Sequence, residues 1–382
     1  MENNEHKEPV ILQVLPELDQ GGVEVGTIQI AEFLKEKGIK NFVASQGGRF
    51  AYNLKKANVK HFTLPLKTKN IFKMWLNSYK LEKIIKENGI TIVHARSRAP
   101  AWSAYWAAKR AGVKFLTTFH GTYGLGPLGI KKAYNKIMTN GSLVIAISTH
   151  IKQHILQNYR VDESKLRLIH RCVDVEKFAP DKVTSERIIK MAKEHNIPED
   201  KPIILLWGRL TRWKGQILLI EALAKLKSKN FHCILGGDDQ GRKYYTDEIK
   251  ALIKQHKMNG QFTFIRHTDD MPALMMISSI VLSTSLEPEA FGRIAIEGQA
   301  MGKIVLASNI GGSLDSIKDG KSGRLFKSGD AEALAEALEW ALNLKGKEKE
   351  SLSENAIKNA REDFTKELMC DRTLQVYREL LK

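Results

Sequence analysis

The 382-residue chain reads as an α/β protein built from two Rossmann-like, doubly wound parallel-sheet domains. Two observations carry that reading. From Val10 onward, short β-branched or apolar runs alternate with amphipathic stretches, as expected of βα units. The alternation stops at a polar, Pro-containing stretch, residues 179–202, and then begins again.

In the first series, VILQVLPEL reads as a strand, followed by a helix from about Val25 to Lys37 with Ile28, Ala31, Phe33 and Leu34 on one face. The strands NFVAS, HFTLPL, TIVHAR, KFLTTFH, LVIAIS and KLRLIHR follow, with helices such as 71–88 and 99–111 between them. Residues 1–178 therefore form one domain, and 179–202 read as an interdomain connection. The second domain, 203–364, runs PIILLWG, a helix at 215–228, FHCILGG, a helix at 242–257, QFTFIR, IVLSTS, a helix at 293–301, and KIVLAS. From Asp330 the spacing of Ala333, Leu334, Ala337, Leu338 and Ala341 predicts helix, and the last segment, 365–382, is expected to pack back on the first domain. Two such halves imply a central cleft, with ligands at the carboxyl ends of the strands.

With 43% hydrophobic and 27% charged residues, the chain can bury a sizeable core, so intrinsic disorder is a poor description of it. Cys172, Cys233 and Cys370 form no CxxC pair, which argues against zinc and redox motifs. No apolar run approaches a membrane span. MENNEHKEPV lacks the basic stretch and apolar core of a secretory signal, so a cytoplasmic protein is expected. The net charge of +17 is unevenly placed: residues 37–161 carry 22 Lys and Arg against only Glu82 and Glu87, while the remainder sums to −3. Such segregation points to an anionic partner for the first half.

Two motifs in the second half carry chemistry. Gly208-Arg209 follows a strand and Lys214-Gly215 opens a helix, so a planar fork and a point charge can grip a diphosphate from two sides. Glu289 and Glu297 are eight apart, separated by the strand-to-helix turn Ala290-Phe291-Gly292. Glu297 is placed about two turns into a helix begun near Phe291. One carboxylate can bond sugar hydroxyls and the other ribose hydroxyls, with a helix N-terminus between them.

On these motifs the chain resembles a family 4 retaining glycosyltransferase of GT-B architecture, of the bacterial cell-surface glycan type, over nearly its full length. The resemblance includes Gly21-Gly22-Val23-Glu24, His120-Gly121, Ile145-Ala146-Ile147-Ser148, Gly208-Arg209, Lys214-Gly215, the Glu289/Glu297 pair and Gly311-Gly312. It implies that Arg209 and Lys214 neutralise the donor diphosphate and that Glu289 orients the donor sugar. It also implies that Phe291-Gly292 amides lie near sugar or phosphate, that Glu297 takes the ribose hydroxyls, and that Arg266 falls where backbone groups hold the base. The Gly21-Gly22 loop would let main chain approach phosphate. His120 would contact the sugar rather than act as a base, because same-face substitution assisted by the leaving phosphate needs mainly positioning and charge stabilisation. No metal or cofactor is implied; a UDP- or GDP-linked sugar is the substrate. One departure stands out: where the family reads Ile-Pro-Asn-Gly-Val-Asp, this chain has Ile169-His170-Arg171-Cys172-Val173-Asp174.

In this architecture the first domain takes the acceptor. Lys67, Lys69, Lys73, Trp75, Arg96 and Arg98 are its candidate acceptor or membrane residues, and LKTKNIFKMWLNSYK suits an anionic membrane surface. A lipid-linked or lipopolysaccharide-type anionic glycan is the expected acceptor, on the inner face of the plasma membrane. A nucleic-acid-binding protein is the rival that the charge alone allows, but no nucleic-acid motif accompanies it. A sugar-nucleotide epimerase, a phosphorylase and an inactive homologue are the others.

Overall fold

Each series forms its own all-parallel sheet in the computed structural model, which describes residues 8–19 and 21–382. The chain divides into two units. One contains the residues up to Arg171 together with Glu367–Lys382, and the other is Cys172–Lys366.

In the first unit the order is β1 (Ile11–Val14), α1 (Gly22–Glu36), β2 (Asn41–Ser45), α2 (Ala51–Lys56), β3 (Lys60–Thr63), α3 (Ile71–Asn88), β4 (Ile92–Ala95), α4 (Arg98–Ala111), β5 (Lys114–Phe119), α5 (Ile130–Asn135), β6 (Leu143–Ala146), α6 (Thr149–Asn158) and β7 (Leu166–Leu168). The seven strands lie in the order β3-β2-β1-β4-β5-β6-β7, with Ile11 of β1 opposite both Asn41 and Ile92. Strand order reverses between β1 and β4, which makes their carboxyl ends the switch point where open α/β sheets bind ligands. Every residue of β1, β4 and β6 is buried, because helices cover both faces of such a sheet; this is why these strands read as continuous apolar runs. Local chemistry fixes the helix ends. Asn70 caps α3 by accepting from the Lys73 amide at 3.0 Å, and Gly89 closes it in a left-handed conformation.

The second unit contains α7 (Ser185–Glu194), β8 (Ile203–Trp207), α8 (Gln216–Lys225), β9 (His232–Gly236), α9 (Lys243–Gln255), β10 (Phe262–Ile265), α10 (Met271–Ile277), β11 (Ile280–Ser283), α11 (Arg293–Ala300), β12 (Ile304–Ser308), α12 (Ser313–Ser316), β13 (Arg324–Phe326), α13 (Ala331–Asn343) and α14 (Gly346–Asp363). Its strand order, β10-β9-β8-β11-β12-β13, has a switch point between β8 and β11. The core is continuous: Leu219, Leu223, Phe231, Ile249, Leu282, Leu306 and Leu338 are all fully buried in one cluster. Residues 179–202 belong to this unit. They carry α7, whose Arg187 forms a two-pronged pair with Asp270 at 2.6 and 2.8 Å, while Asp270 also caps α10 through the Ala273 amide.

The helical tail is broken into three. Leu344 and Lys345 adopt extended conformations between α13 and α14, and α15 (Lys366–Glu379) begins after Phe364 and Thr365. From Glu367 this helix belongs to the first unit. The Tyr377 hydroxyl is 2.8 Å from His94 Nδ1, and His94 Nε2 is 2.7 Å from Thr118 Oγ1, a buried polar chain from the tail into β4 and β5. Arg167 pairs with Glu379 at the surface, and Arg378 with Glu8 at 3.0 Å. Among the described residues no helix is long and apolar enough to cross a membrane.

Candidate active site

In the second unit, the loops after β8 and β11 bring four of the expected residues into one cluster or its edge. Gly208 follows β8, and Lys214 closes a short 3-10 turn, Arg212–Lys214, ahead of α8. The Lys214 ammonium donates to Glu289 Oε1 at 2.6 Å, and both side chains are largely buried. Ser285 and Ser283 donate to the same carboxylate oxygen at 2.5 and 3.3 Å. These serines were visible only as the polar end of IVLSTS. Lys214 also lies 4.5 Å from the Trp213 ring centroid, and the Arg209 guanidinium 5.7 Å from it, so one indole supports both cations.

The backbone is shaped for this arrangement. Gly215 has φ 73°, and a Cβ there would overlap the Thr284 carbonyl, whose own hydroxyl donates to the Lys214 carbonyl at 2.8 Å. Gly311 and Gly312 pack directly on the backbone of Glu289 and Phe291, and the Gly312 amide donates to the Glu289 carbonyl at 2.9 Å. The later Gly-Gly turn is therefore the support of the Glu289 loop.

Helix α11 starts at Arg293, after Gly292 in a left-handed conformation and without a side-chain cap, so its first amides point outward from the turn. Glu297 consequently sits one turn into the helix rather than two. It is 8% exposed and takes two hydrogen bonds from Arg293, at 2.9 and 3.2 Å. Burial raises its pKa above the ordinary glutamate value, while the Arg293 charge pulls the other way. The i, i+4 spacing of Arg293 and Glu297 was the available signal for this partner. Phe291 is buried with its ring against Phe364. Arg266 is exposed and paired with Asp238 at 3.2 Å. It stands on the rim of a cavity of about 160 Å³ that Gly237, Asp239, Thr246, Phe264 and Ile265 also line.

In the first unit, His120 follows β5 and has both ring nitrogens buried without a hydrogen-bond partner among the described residues. Burial, then the charges of Arg171 and Arg96, hold its pKa well below the ordinary histidine value, so the imidazole is neutral. Gly21, with φ 131°, precedes α1, which has no side-chain cap. Glu24 lies against this turn, its pKa raised chiefly by burial.

The acceptor and membrane candidates separate. Arg96 is 2% exposed and donates to Gln13 Oε1 at 3.1 Å; it is an interior guanidinium at the switch point, not a membrane contact. Arg98 is likewise engaged, donating to Asn135 at 3.1 Å and lying 4.3 Å from the Tyr123 ring centroid. Both follow β4, whose four residues are all buried. Lys67 is exposed and paired with Glu17 at 2.8 Å, and Lys69, Lys73 and Trp75 are exposed.

Known proteins share this fold. Residues 188–363 match the group described as Glycosyl transferases group 1, and residues 20–177 match Glycosyltransferase Family 4. A glycosyltransferase crystal structure from Rickettsia africae ESF-5 is 40% identical, covers 98% of this chain and 99% of that one, and superposes with a TM-score of 0.91. The chain belongs to the family 4 glycosyltransferases and has their GT-B fold. Anabaena Alr3699/HepE, solved in complex with UDP and glucose, shares the fold at 21% identity and TM-score 0.81, over 96% of this chain and 98% of that one. The D-inositol 3-phosphate glycosyltransferase of Corynebacterium glutamicum (strain R) is 26% identical over 227 residues, which are 57% of this chain and 53% of that protein. The chain spans about half the length of the first curated relatives it matches, at 53%, 49% and 59%.

Proposed function

We propose that the protein transfers a sugar from a nucleoside-diphosphate sugar to a lipid-linked, anionic glycan, with retention of anomeric configuration and without a metal. The observation that carries this reading is the Lys214–Glu289 pair beside the uncapped start of α11. A cation, a hydrogen-bond acceptor and helix amides in one cluster are the groups that a phosphate joined to a sugar calls for, which supports this reading. Arg209 and Lys214 stabilise the charge that develops on the departing diphosphate, Glu289 holds a donor-sugar hydroxyl, and Glu297 takes the ribose. The Ile265–Arg266 segment holds the base. In the transfer the anomeric carbon–phosphate oxygen bond breaks and a bond to the acceptor oxygen forms on the same face. The acceptor proton passes to the leaving phosphate. A neutral His120 donates or accepts one hydrogen bond to the sugar and takes no proton.

UDP-linked sugars are the first donors to test, since a protein of the same fold was solved with UDP and glucose. Turnover of a nucleotide-sugar panel by the full chain is expected to fall roughly 100-fold or more in both Lys214→Ala and Glu289→Ala, the size of a lost transition-state charge contact. Unchanged turnover in either variant refutes the site.

The acceptor reading rests on α3. Its first half exposes Ile71, Phe72, Trp75, Leu76 and Tyr79, with Phe72 stacked on Trp75 and Trp75 edge-on to Tyr79 at 4.7 Å. Lys67, Lys69, Lys73 and Lys80 are exposed around this patch. An apolar patch rimmed by cations is the chemistry of a helix lying in an anionic membrane surface, here the cytoplasmic face where a lipid-linked acceptor resides.

A further inference from the structure

Arg171 departs from the family pattern at the end of β7, and its side chain has an unusual seat. It is 8% exposed and donates to the carbonyl of Gly22, in the first turn of α1. The guanidinium also lies against Gly26: a Cβ built on Gly26 would overlap Nη1 and crowd Cζ and Nη2 at 3.1 and 3.2 Å. Gly26 lies inside a helix and is not among the residues with positive φ. Backbone freedom therefore gives no reason for glycine there, and an interior glycine destabilises a helix relative to alanine. Space for the guanidinium gives the reason.

The turn that Arg171 reaches contains the features one would pre-set for an oxyanion: Gly21 in a conformation open to glycine, and the uncapped N-terminus of a 15-residue helix. Buried Arg96, whose Nε has no partner among the described residues, is near enough to act on the Glu24 carboxyl of this turn, and the ring of His120, whose nitrogens also lack a partner among the described residues, lies in the field of Arg171 and Arg96. The carboxylate of Glu24, in the same turn, lies close to Gly21.

We propose that Arg171 is a positioning residue that clamps the first turn of α1 to the end of β7, with Gly26 as the space it requires. The clamp presets the Gly21–Gly22 turn for a substrate phosphate. The phosphate assignment rests on the transferase reading above; the clamp itself does not.

Hydrogen exchange of the segment containing residues 21–28, measured in the full chain, tests the clamp directly. Arg171→Asn and Gly26→Ala are each expected to speed exchange about tenfold, as for loss of a charge-assisted hydrogen bond in a local opening. In the double variant Gly26→Ala is expected to slow exchange relative to Arg171→Asn alone, because alanine then only favours helix. Arg171→Lys, which keeps one donor, should recover part of the protection. If Gly26→Ala leaves exchange unchanged while Arg171 is present, or if the two effects add, the clamp is overturned.

UDP binding and UDP-glucose turnover by the same variants test the phosphate assignment. The expected result is a KM raised about tenfold in Arg171→Asn with a melting temperature close to wild type. Altered exchange with unaltered KM and UDP affinity overturns it. Absence of UDP binding and turnover in the wild type would count against the transferase reading, and the exchange arm would still decide the clamp.

Discussion

Gly215 shows how one atom governs the donor site. Its φ of 73° suits glycine, and an added Cβ would meet the Thr284 carbonyl, so Gly215→Ala carries both left-handed strain and a backbone clash. A loss of about 1–3 kcal/mol is expected from strain of this kind, read as a lower denaturant midpoint, together with reduced turnover because Lys214 is the adjacent residue. An unshifted midpoint would show that the loop after β11 yields easily. At this scale the sequence was informative where spacing was the message: the Lys214, Glu289 and Glu297 positions followed from motif order. It named Arg96 as an acceptor or membrane candidate but carried no sign of its burial, because its partner Gln13 lies far away in the chain.

Helix α3 matches its predicted span, residues 71–88, because an Asn cap and a terminal glycine bracket an amphipathic pattern. The tail was not legible in the same way. The last segment, 365–382, was set apart in the sequence, but the break at Leu344–Lys345 carries neither proline nor glycine that would announce it before Gly346. The α3 reading leads to a direct test. Flotation with vesicles containing anionic lipid should retain the wild type, whereas Phe72→Ser/Trp75→Ser should lose most of that retention, since juxtamembrane cations add only on the order of 1 kcal/mol each. Equal retention on neutral and anionic vesicles would remove the electrostatic part of the proposal.

For the whole molecule, buried histidines set a pH response. Burial keeps His94 and His120 well below the ordinary value of 6.5. Below about pH 6.5 the unfolded chain gains protons there and the folded chain does not. Their stabilisation is complete above that pH and declines as pH falls toward the lowered values, by up to about 1.4 kcal/mol per pH unit for each group. Glu24 and Glu297, raised by burial, act in the opposite sense above 4.5 and partly offset this. The melting temperature is expected to drop between about pH 7 and 5.5, and His94→Gln to flatten that slope. An identical slope in the variant would exclude His94 as a source.

The bond between Tyr377 and His94 also bears on how the protein is made. During synthesis the ribosome releases all of residues 172–366 before it delivers the helix that closes the first core. Domains generally fold in the order they emerge, yet here the earlier sheet must wait, with the His94 ring uncovered, while the later one is completed. A chain ending at residue 366 and released from the ribosome should therefore hold a protease-resistant second unit and a first unit that is still cleavable.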